Sequence, residues 1–227
     1  MKLSIIIPTL NEAPQLRDTL KALRVLQTRG HEVIVVDGGS SDHTSVIARE
    51  FADQVIDSAR GRAHQMNAGA AVASGDVLLF LHADTQLPDQ ADRLIAGALL
   101  DGKTSWGRFD VCLSGGQILL RVVETLMNFR SRISSIATGD QAIFVRRALF
   151  VQLGGYPEIP LMEDIALCKL LKRAARPANL SARVVTSSRR WEQRGIIRTV
   201  VLMWRMRLAY ALGASPQQLA KIYQIKL

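Results

Sequence analysis

The chain contains 227 residues, 48% of them hydrophobic, and its formal net charge is +9. This length and apolar fraction support one substantial core, whereas two full domains would be crowded. The two cysteines, Cys112 and Cys168, are far apart without metal-type spacing, and no secretory leader precedes the first apolar run. These features predict a reduced, cytoplasmic protein.

Nearly all of the net charge lies near the end of the chain. Residues 183–227 contain nine Lys or Arg and one acid, Glu192, so they carry +8 of the +9. Such a segment suits diphosphate, anionic lipid or nucleic acid. Because no nucleic-acid-binding motif accompanies the charge, we expect no nucleic-acid partner. The same charge is compatible with peripheral contact with the anionic inner face of the membrane.

The first hundred residues alternate between apolar β-branched runs and helix-like segments. This βαβαβαβ order predicts an α/β fold with a parallel sheet, right-handed crossovers and a Rossmann-like half. Apolar runs without alternation are typical of strands that are covered on both faces. The predicted strands are Leu3–Pro8, Val33–Val36, Val55–Ile56 and Val77–Leu81, and the predicted helices are Pro14–Leu26, Thr44–Phe51 and Ala63–Ala73.

Beyond Asp84 the alternation loosens, and we expect this second half to bind the acceptor of a reaction. Its elements follow from period and from glycine breaks. The predicted helices are Asp89–Leu100, Ile118–Ile136 and one that begins at Glu163, and the predicted strands are Ser105–Leu113 and Ala142–Val145.

The apolar segment Ile196–Leu212 is predicted to be an interfacial or core-docked helix. Arginines interrupt it, and it falls short of the ~20 uninterrupted apolar residues that a membrane-spanning helix needs. We therefore predict one domain over residues 1–182, followed by a basic, partly amphipathic helical segment over residues 183–227.

A glycine-rich turn, Asp37-Gly38-Gly39-Ser40-Ser41-Asp42, follows the second predicted strand. Gly39 permits close approach of the backbone to a phosphate or ribose, and Asp37 is placed to accept hydrogen bonds from a base or ribose. The alternative is an ordinary turn in which Asp42 or Thr44 caps the next helix.

Arg62 precedes a helix that bears Asn67, where the helix N-terminus already favours an anion. It is a candidate contact for a diphosphate or base, and the alternative is a solvated surface arginine.

The tripeptide His82-Ala83-Asp84 follows a buried run. Residues two apart in an extended strand share a face, so His82 and Asp84 are expected to reach one ion. Mg²⁺ or Mn²⁺ takes one or two carboxylates and completes its shell with phosphate oxygens and water, and Asp84 fits that role. The alternative makes His82 a hydrogen-bonded imidazole and Asp84 a turn residue.

Glu163 and Asp164 open a predicted helix, where acids are stabilised by the helix dipole. That role alone accounts for many such pairs. A carboxylate near a reaction centre also takes a proton from an attacking hydroxyl, so this pair is the candidate general base.

Taken together, these motifs resemble family 2 glycosyltransferases with the GT-A fold, and most closely small bacterial members of the radical-SAM/selenodomain-associated type. The resemblance covers about the first 175 residues, and the combination is more specific than any single motif. It rests on Ser4-Ile5-Ile6-Ile7-Pro8-Thr9-Leu10-Asn11-Glu12, Val35-Val36-Asp37-Gly38-Gly39-Ser40-Ser41-Asp42-His43-Thr44, Asn67-Ala68-Gly69, Gly75-Asp76, Leu81-His82-Ala83-Asp84, Gly154-Gly155-Tyr156 and Glu163-Asp164.

The resemblance implies inverting transfer of a sugar from a nucleoside-diphosphate sugar, with a UDP-sugar favoured, to an unidentified acceptor that a lipid carrier could hold. Asp164 would be the general base beside Glu163, and Asp84 would hold Mn²⁺ or Mg²⁺. The first acid of the family's metal motif is His82 here. The donor-binding residues implied are Pro8, Leu10, Glu12, Asp37, Gly39, Arg62, Asn67, His82 and Ala83.

A second, fainter resemblance lies at Arg190-Trp191, which is similar to an arginine and tryptophan cluster bordering the acceptor or diphosphate in some members. Trp191 would stack on a sugar ring, and the alternative is a solvated surface loop. The processive Gln-x-x-Arg-Trp pattern does not occur, which favours a non-processive enzyme.

Two other functions fit the same alternating pattern. A sugar-phosphate nucleotidyltransferase normally has a glycine-rich, basic phosphate loop after the first strand, where this chain has Pro8-Thr9-Leu10-Asn11-Glu12. A noncatalytic nucleotide-sugar-binding protein with the same fold is the other alternative.

Overall fold

The computed structural model describes residues 1–225, including the side chains of residues 1–223, so Lys226 and Leu227 of the predicted basic segment lie outside it. The strands are β1 (Leu3–Thr9), β2 (Glu32–Asp37), β3 (Gln54–Asp57), β4 (Val77–Phe80), β5 (Thr85–Gln86), β6 (Thr104–Leu113), β7 (Phe144–Arg146) and β8 (Arg176–Thr186). The helices are α1 (Ala13–Thr28), α2 (Thr44–Phe51), α3 (Arg62–Val72), α4 (Ala91–Leu99), α5 (Ile118–Ser134), α6 (Arg147–Gln152), α7 (Glu163–Ala174), α8 (Arg189–Arg194), α9 (Ile196–Ala211) and α10 (Pro216–Ile225), with a short 3₁₀ helix at Gly139–Gln141.

All strands join one sheet in the order β3-β2-β1-β4-β7-β6-β8-β5. The first four strands in this order are parallel, as the alternating sequence predicts. Helices α1, α2 and α4 pack on one face, and α3, α6 and α7 cover the other. Every residue of β2 is buried because helices cover both faces, which explains its continuous apolar run.

The second half reverses direction in the sheet. Strand β7 runs antiparallel to both β4 and β6, whereas β6 and β8 pair in parallel. The strand predicted to start at Ala142 begins instead at Phe144, because Ala142 adopts the left-handed region at φ 47° and cannot continue a ladder.

Strand β8 is absent from the predicted elements. The predicted division after residue 182 falls inside this strand of the central sheet. The sheet therefore continues to Thr186, and the helices α8, α9 and α10 follow it in succession. Within residues 1–225, no helix has the length and apolar character required to cross a bilayer.

Gly69 lets α3 approach the sheet closely. A Cβ at this position would lie 2.5 Å from Cγ2 of Ile6 and 3.0 Å from Cγ2 of Val36, both in the core. We expect Gly69→Ala to lower the free energy of unfolding by about 1–3 kcal/mol, because the sheet must shift to admit a methyl group. Urea denaturation measures the change.

Gly97 provides the matched control for this prediction. It also lies within a helix, α4, but nothing occupies the space around its added Cβ. Gly97→Ala should therefore raise the free energy of unfolding by about 0.5–1 kcal/mol through helix propensity alone. Equal effects of the two substitutions would contradict the close approach at Gly69.

Candidate active site

One cavity of about 460 Å³ opens beyond the carboxyl ends of β1 and β4. Crevices at this edge of an open α/β sheet are where ligands bind. Its floor is the end of β1 and the loop after β4, and its walls come from the starts of α3 and α7, the 3₁₀ helix, the end of β8, and α9. Most of the predicted site residues line it: Pro8, Leu10, Glu12, Arg62, His82, Ala83, Asp84, Glu163, Asp164, Arg190 and Trp191.

The cavity thus brings together segments that are far apart in the chain. Asp84 and Asp164 are 80 positions apart in the chain. Both line the cavity because β4 ends, and α7 begins, at the same edge of the domain. Three predicted residues, Asp37, Gly39 and Asn67, do not line it.

The carboxylate of Asp37 faces its own turn. It accepts hydrogen bonds from the backbone N–H of Ser40 at 2.9 Å and the hydroxyl of Ser45 at 3.0 Å. Burial alone would raise the pKa of Asp37, but these hydrogen bonds outweigh burial and lower it. Asp37 therefore shapes the turn, in which Gly39 is exposed at φ +88°, and the base contact of Asp37 stays a prediction.

Asn67 fastens α3 to the loop before α7. Its Nδ2 donates to the carbonyl of Tyr156 at 2.9 Å, and its Oδ1 accepts the N–H of the same residue at 2.8 Å. Both polar atoms of the amide are used in this contact, and Asn67 does not line the cavity. The predicted contact of Asn67 with the sugar-donor substrate therefore stays a prediction.

The carboxyl of Asp164 is surrounded by groups that oppose and favour its charge. Oδ2 accepts the N–H of Gly139 at 3.1 Å, and Oδ1 accepts the N–H of Ile165 at 2.7 Å. Burial and the neighbouring charge of Glu163, with a further contribution from Asp140, raise the pKa of Asp164 to about 7. A group that gains and loses a proton near neutral pH is suited to general-base work.

Asp140 is a charged residue of the cavity lining that is absent from the predicted site residues. Asp140, in the 3₁₀ helix, lines the cavity, and burial raises its pKa. Arg130 of α5 is the nearby cation, and its burial lowers its pKa while Asp140 and Asp164 oppose that change. The only sequence signal is the polar Thr138-Gly139-Asp140 between a predicted helix and strand.

The candidate ligand for a divalent metal ion is the carboxylate of Asp84, which lines the cavity. His82 beside it is neutral, because burial and then the charges of Arg62 and Arg190 lower its pKa well below the ordinary value. Among residues 1–225, no group of three or more His, Cys, Asp or Glu is arranged to hold a metal. One carboxylate with an imidazole fits a Mg²⁺ or Mn²⁺ ion that takes its remaining ligands from phosphate oxygens and water.

Cationic side chains lie beside the carboxylates of the cavity. Arg62 stands at the start of α3, where burial opposes its charge but the charges of Glu163, Asp164 and Asp84 act on it and help to raise its pKa. Nη1 of Arg190 donates to the hydroxyl of Tyr223 at 2.7 Å. Alternating charges of this kind suit a ligand that combines phosphates with a metal ion.

The mixed sheet, with a charged crevice beyond its parallel strands, defines an α/β protein with a ligand-binding edge. Residues 4–149 match Glycosyl transferase family 2, and the chain belongs to that family. It is 31% identical over 238 residues to "Probable glycosyltransferase YdaM" of Bacillus subtilis (strain 168), a match that covers 93% of this chain and 55% of that protein.

Two solved structures share the GT-A fold with this chain. S. aureus TarS 1-349 in complex with UDP-GlcNAc superposes with a TM-score of 0.65 at 20% identity, over 82% of this chain and 58% of that one. The mannosyltransferase PcManGT from Pyrobaculum calidifontis, in complex with GDP-Man and Mn²⁺, gives 0.64 at 23% identity, over 91% and 60%. The chain thus spans between 55% and 60% of the length of these three relatives.

Proposed function

We propose that this protein is a metal-assisted, inverting and non-processive glycosyltransferase that uses a nucleoside-diphosphate sugar, with a UDP-sugar favoured. The observation that carries the proposal is that Asp84 and Asp164 line one cavity, in which the pKa of Asp164 is raised to about 7. The family membership and the nucleotide-sugar complexes of its structural relatives support the same class of donor.

In the proposed reaction, Asp164 accepts the proton of the acceptor hydroxyl as its oxygen attacks the anomeric carbon. The bond between that carbon and the diphosphate breaks on the opposite side, which inverts the configuration. A divalent ion held by Asp84 would neutralise charge on the departing diphosphate. Arg62 and Arg190, which line the cavity, would bind the diphosphate, and Glu163 precedes the proposed base in the chain.

The acceptor is proposed to carry an apolar portion, such as a lipid carrier. Part of the cavity wall is formed by apolar side chains that neighbour Glu163 and Asp164 at the start of α7, and by apolar side chains of α9. Desolvation of a purely polar acceptor against this wall would be costly. This part of the wall consists of Leu161, Met162, Ile165, Met203 and Met206.

A thermal-shift screen of nucleoside diphosphates and their sugars, with and without Mn²⁺, tests the proposed donor. A ligand that binds only the folded state raises Tm, and the rise grows with the logarithm of the ratio of ligand concentration to Kd. We expect a rise with at least one nucleoside-diphosphate sugar that is larger with Mn²⁺, followed by slow donor hydrolysis in the absence of acceptor. Pyrophosphate release from a nucleoside triphosphate and a sugar phosphate would favour a nucleotidyltransferase instead.

The rate should depend on pH through Asp164. Because a general base acts only when deprotonated, kcat/KM is expected to rise with pH and to reach half its plateau near pH 7, where this carboxyl titrates. Glu163→Gln removes a neighbouring negative charge and should move this midpoint to lower pH. Steady-state rates across pH measure both.

Asp18→Asn is the control for the pH profile, since Asp18 is exposed on α1 and far from the cavity lining. It should leave the midpoint unchanged. A profile that is flat through pH 7 would remove the titration of Asp164 from the rate-determining chemistry.

We further propose, from the motif resemblance alone, that the chain is of the radical-SAM/selenodomain-associated type and acts in the cytoplasm. Expression with candidate neighbouring enzymes and fractionation of cells would test both statements.

A further inference from the structure

Helices α5 and α9 are apolar on their outer as well as their inner sides. Their inner sides bury residues such as Leu120 and Met206 against the domain. Their outer sides carry nine large apolar side chains that are 49–70% exposed, and we call these nine residues the outer apolar surface. They are Leu119, Val122, Leu126, Phe129 and Ile133 on α5 and Ile197, Val201, Trp204 and Leu208 on α9.

The spacing of these residues places them in one stripe along each helix. Within each helix, successive members of the surface are three or four positions apart, which keeps their side chains on one face of that helix. The two helices also contact each other, because Leu120 and Val123 of α5 cluster with Ile196 at the start of α9. The stripes therefore lie on neighbouring helices, and soluble monomers rarely leave such a surface uncovered.

Arginines border the stripe of α9. At 3.6 residues per turn, Arg198 and Arg205 lie on one flank of the stripe and Arg207 lies on the other. Arg198 and Arg205 are exposed. No acid follows Glu192 in the sequence, so negative charge does not offset them. An apolar stripe flanked by cations is typical of a helix that lies in the plane of an anionic membrane.

We propose that the outer apolar surface binds the interfacial region of an anionic lipid bilayer, with α5 and α9 parallel to the membrane. Trp204, near the middle of the α9 stripe, has the amphipathic ring that is enriched at headgroup depth. The exposed arginines Arg198 and Arg205 then meet lipid phosphates.

A second copy of the chain is the less favourable occupant. A two-fold dimer through this surface is isologous, so it places each patch against itself. The same arginines of two chains would then approach one another without acids between them, and like charges across an interface oppose association. An anionic bilayer covers the stripe and neutralises the arginines together.

This surface lies on the other side of α9 from the cavity. The side of α9 that faces the cavity contributes Thr199, Met203, Met206 and Arg207 to the cavity wall. Membrane binding does not depend on the proposed function. One consequence of membrane binding does rest on the proposed function: a lipid-linked acceptor would enter the cavity beside α9 while its lipid tail stays in the bilayer.

Sedimentation of the full chain with vesicles of phosphatidylcholine and phosphatidylglycerol in equal parts tests the proposal. We expect the protein to sediment with these vesicles and to remain largely in the supernatant with phosphatidylcholine alone. The double variant Phe129→Ser, Trp204→Ser should lower the partition coefficient at least about tenfold. Val46→Ser is its matched control, because Val46 is 66% exposed on α2, away from the surface.

The arginines are tested separately from the apolar residues. Arg198→Gln and Arg205→Gln should each weaken binding to the anionic vesicles about fivefold, with a smaller effect at high salt. Arg49→Gln, on the exposed side of α2, is the matched control and should have little effect.

Tryptophan fluorescence reports the orientation. Trp106 is 1% exposed and Trp191 is half-buried, whereas Trp204 is 60% exposed. Anionic vesicles should therefore shift the emission to shorter wavelength, and Trp204→Phe should abolish the shift while the protein still sediments with the vesicles.

Three results would overturn the proposal. One is that the protein stays in the supernatant with anionic vesicles. Another is a partition coefficient that the Phe129→Ser, Trp204→Ser variant leaves unchanged while circular dichroism shows it folded. The third is that the wild-type protein forms a stable dimer and does not bind vesicles, whereas the Phe129→Ser, Trp204→Ser variant is monomeric. That result would assign the surface to a second copy of the chain.

Discussion

Asp164→Asn is expected to lower kcat for sugar transfer by about 10²–10⁴-fold, the range that loss of a general base usually produces. The amide is nearly the same size as the carboxyl, but it cannot accept the proton of the acceptor hydroxyl. Its oxygen can still accept the N–H of Ile165 or Gly139, which holds the loop in place. Steady-state rates with the donor identified by thermal shift measure the loss.

Donor affinity separates a catalytic effect of this substitution from a structural one. Calorimetric titration of the Asp164→Asn variant with the same donor should give an affinity close to that of the wild type, because the diphosphate is assigned to Arg62, Arg190 and the ion at Asp84, and the amide fills the space of the carboxyl. Asp18→Asn, on the exposed side of α1, should leave kcat unchanged. Retained transfer in pure Asp164→Asn protein would remove this residue from the mechanism.

The first half of the fold could be predicted because three of its four strands, β1, β2 and β4, are covered on both faces. Runs such as Leu3–Pro8 and Val33–Val36 need no knowledge of distant neighbours, since burial makes nearly every position apolar. The strands observed there extend the predicted ones by at most one residue at each end, except that Val77–Leu81 ends one residue earlier, at Phe80.

Strand β8 could not be predicted from its composition. Its eleven residues include Pro177 and three arginines or asparagines in the first eight positions, and only two of its residues are buried. It is a strand because β6 offers it a long parallel partner, from Thr104 to Leu113. Pairing with a distant strand is a tertiary property that local propensity does not record.

The candidate site shows the same division between local and distant information. Asp84 follows a buried strand, so the general placement of ligands beyond strand ends predicts its position. Asp37 also ends a strand, yet its carboxylate accepts hydrogen bonds from Ser40 of its own turn and from Ser45 in the first turn of α2. Whether a turn aspartate faces inward or outward depends on hydroxyls whose orientation the sequence does not specify. Asp140 enters the cavity through a 3₁₀ helix that has no periodic signal.

Asp84→Ala is expected to remove the dependence of donor binding on Mn²⁺. Groups that only orient a metal ligand already contribute about 10–100-fold to metal affinity. Loss of the one carboxylate assigned to the ion should therefore weaken Mn²⁺-dependent donor binding by at least about this factor. Calorimetric titrations of donor with and without Mn²⁺ measure the difference.

Asp89→Ala is the matched control for the metal assignment, because Asp89 is exposed only five positions further along the chain and does not line the cavity. It should leave the Mn²⁺ dependence intact. If wild type and Asp84→Ala bind the donor equally well, with and without Mn²⁺, the ion is not held at Asp84. The departing diphosphate would then rely on arginines that line the cavity, Arg62 and Arg190 among them.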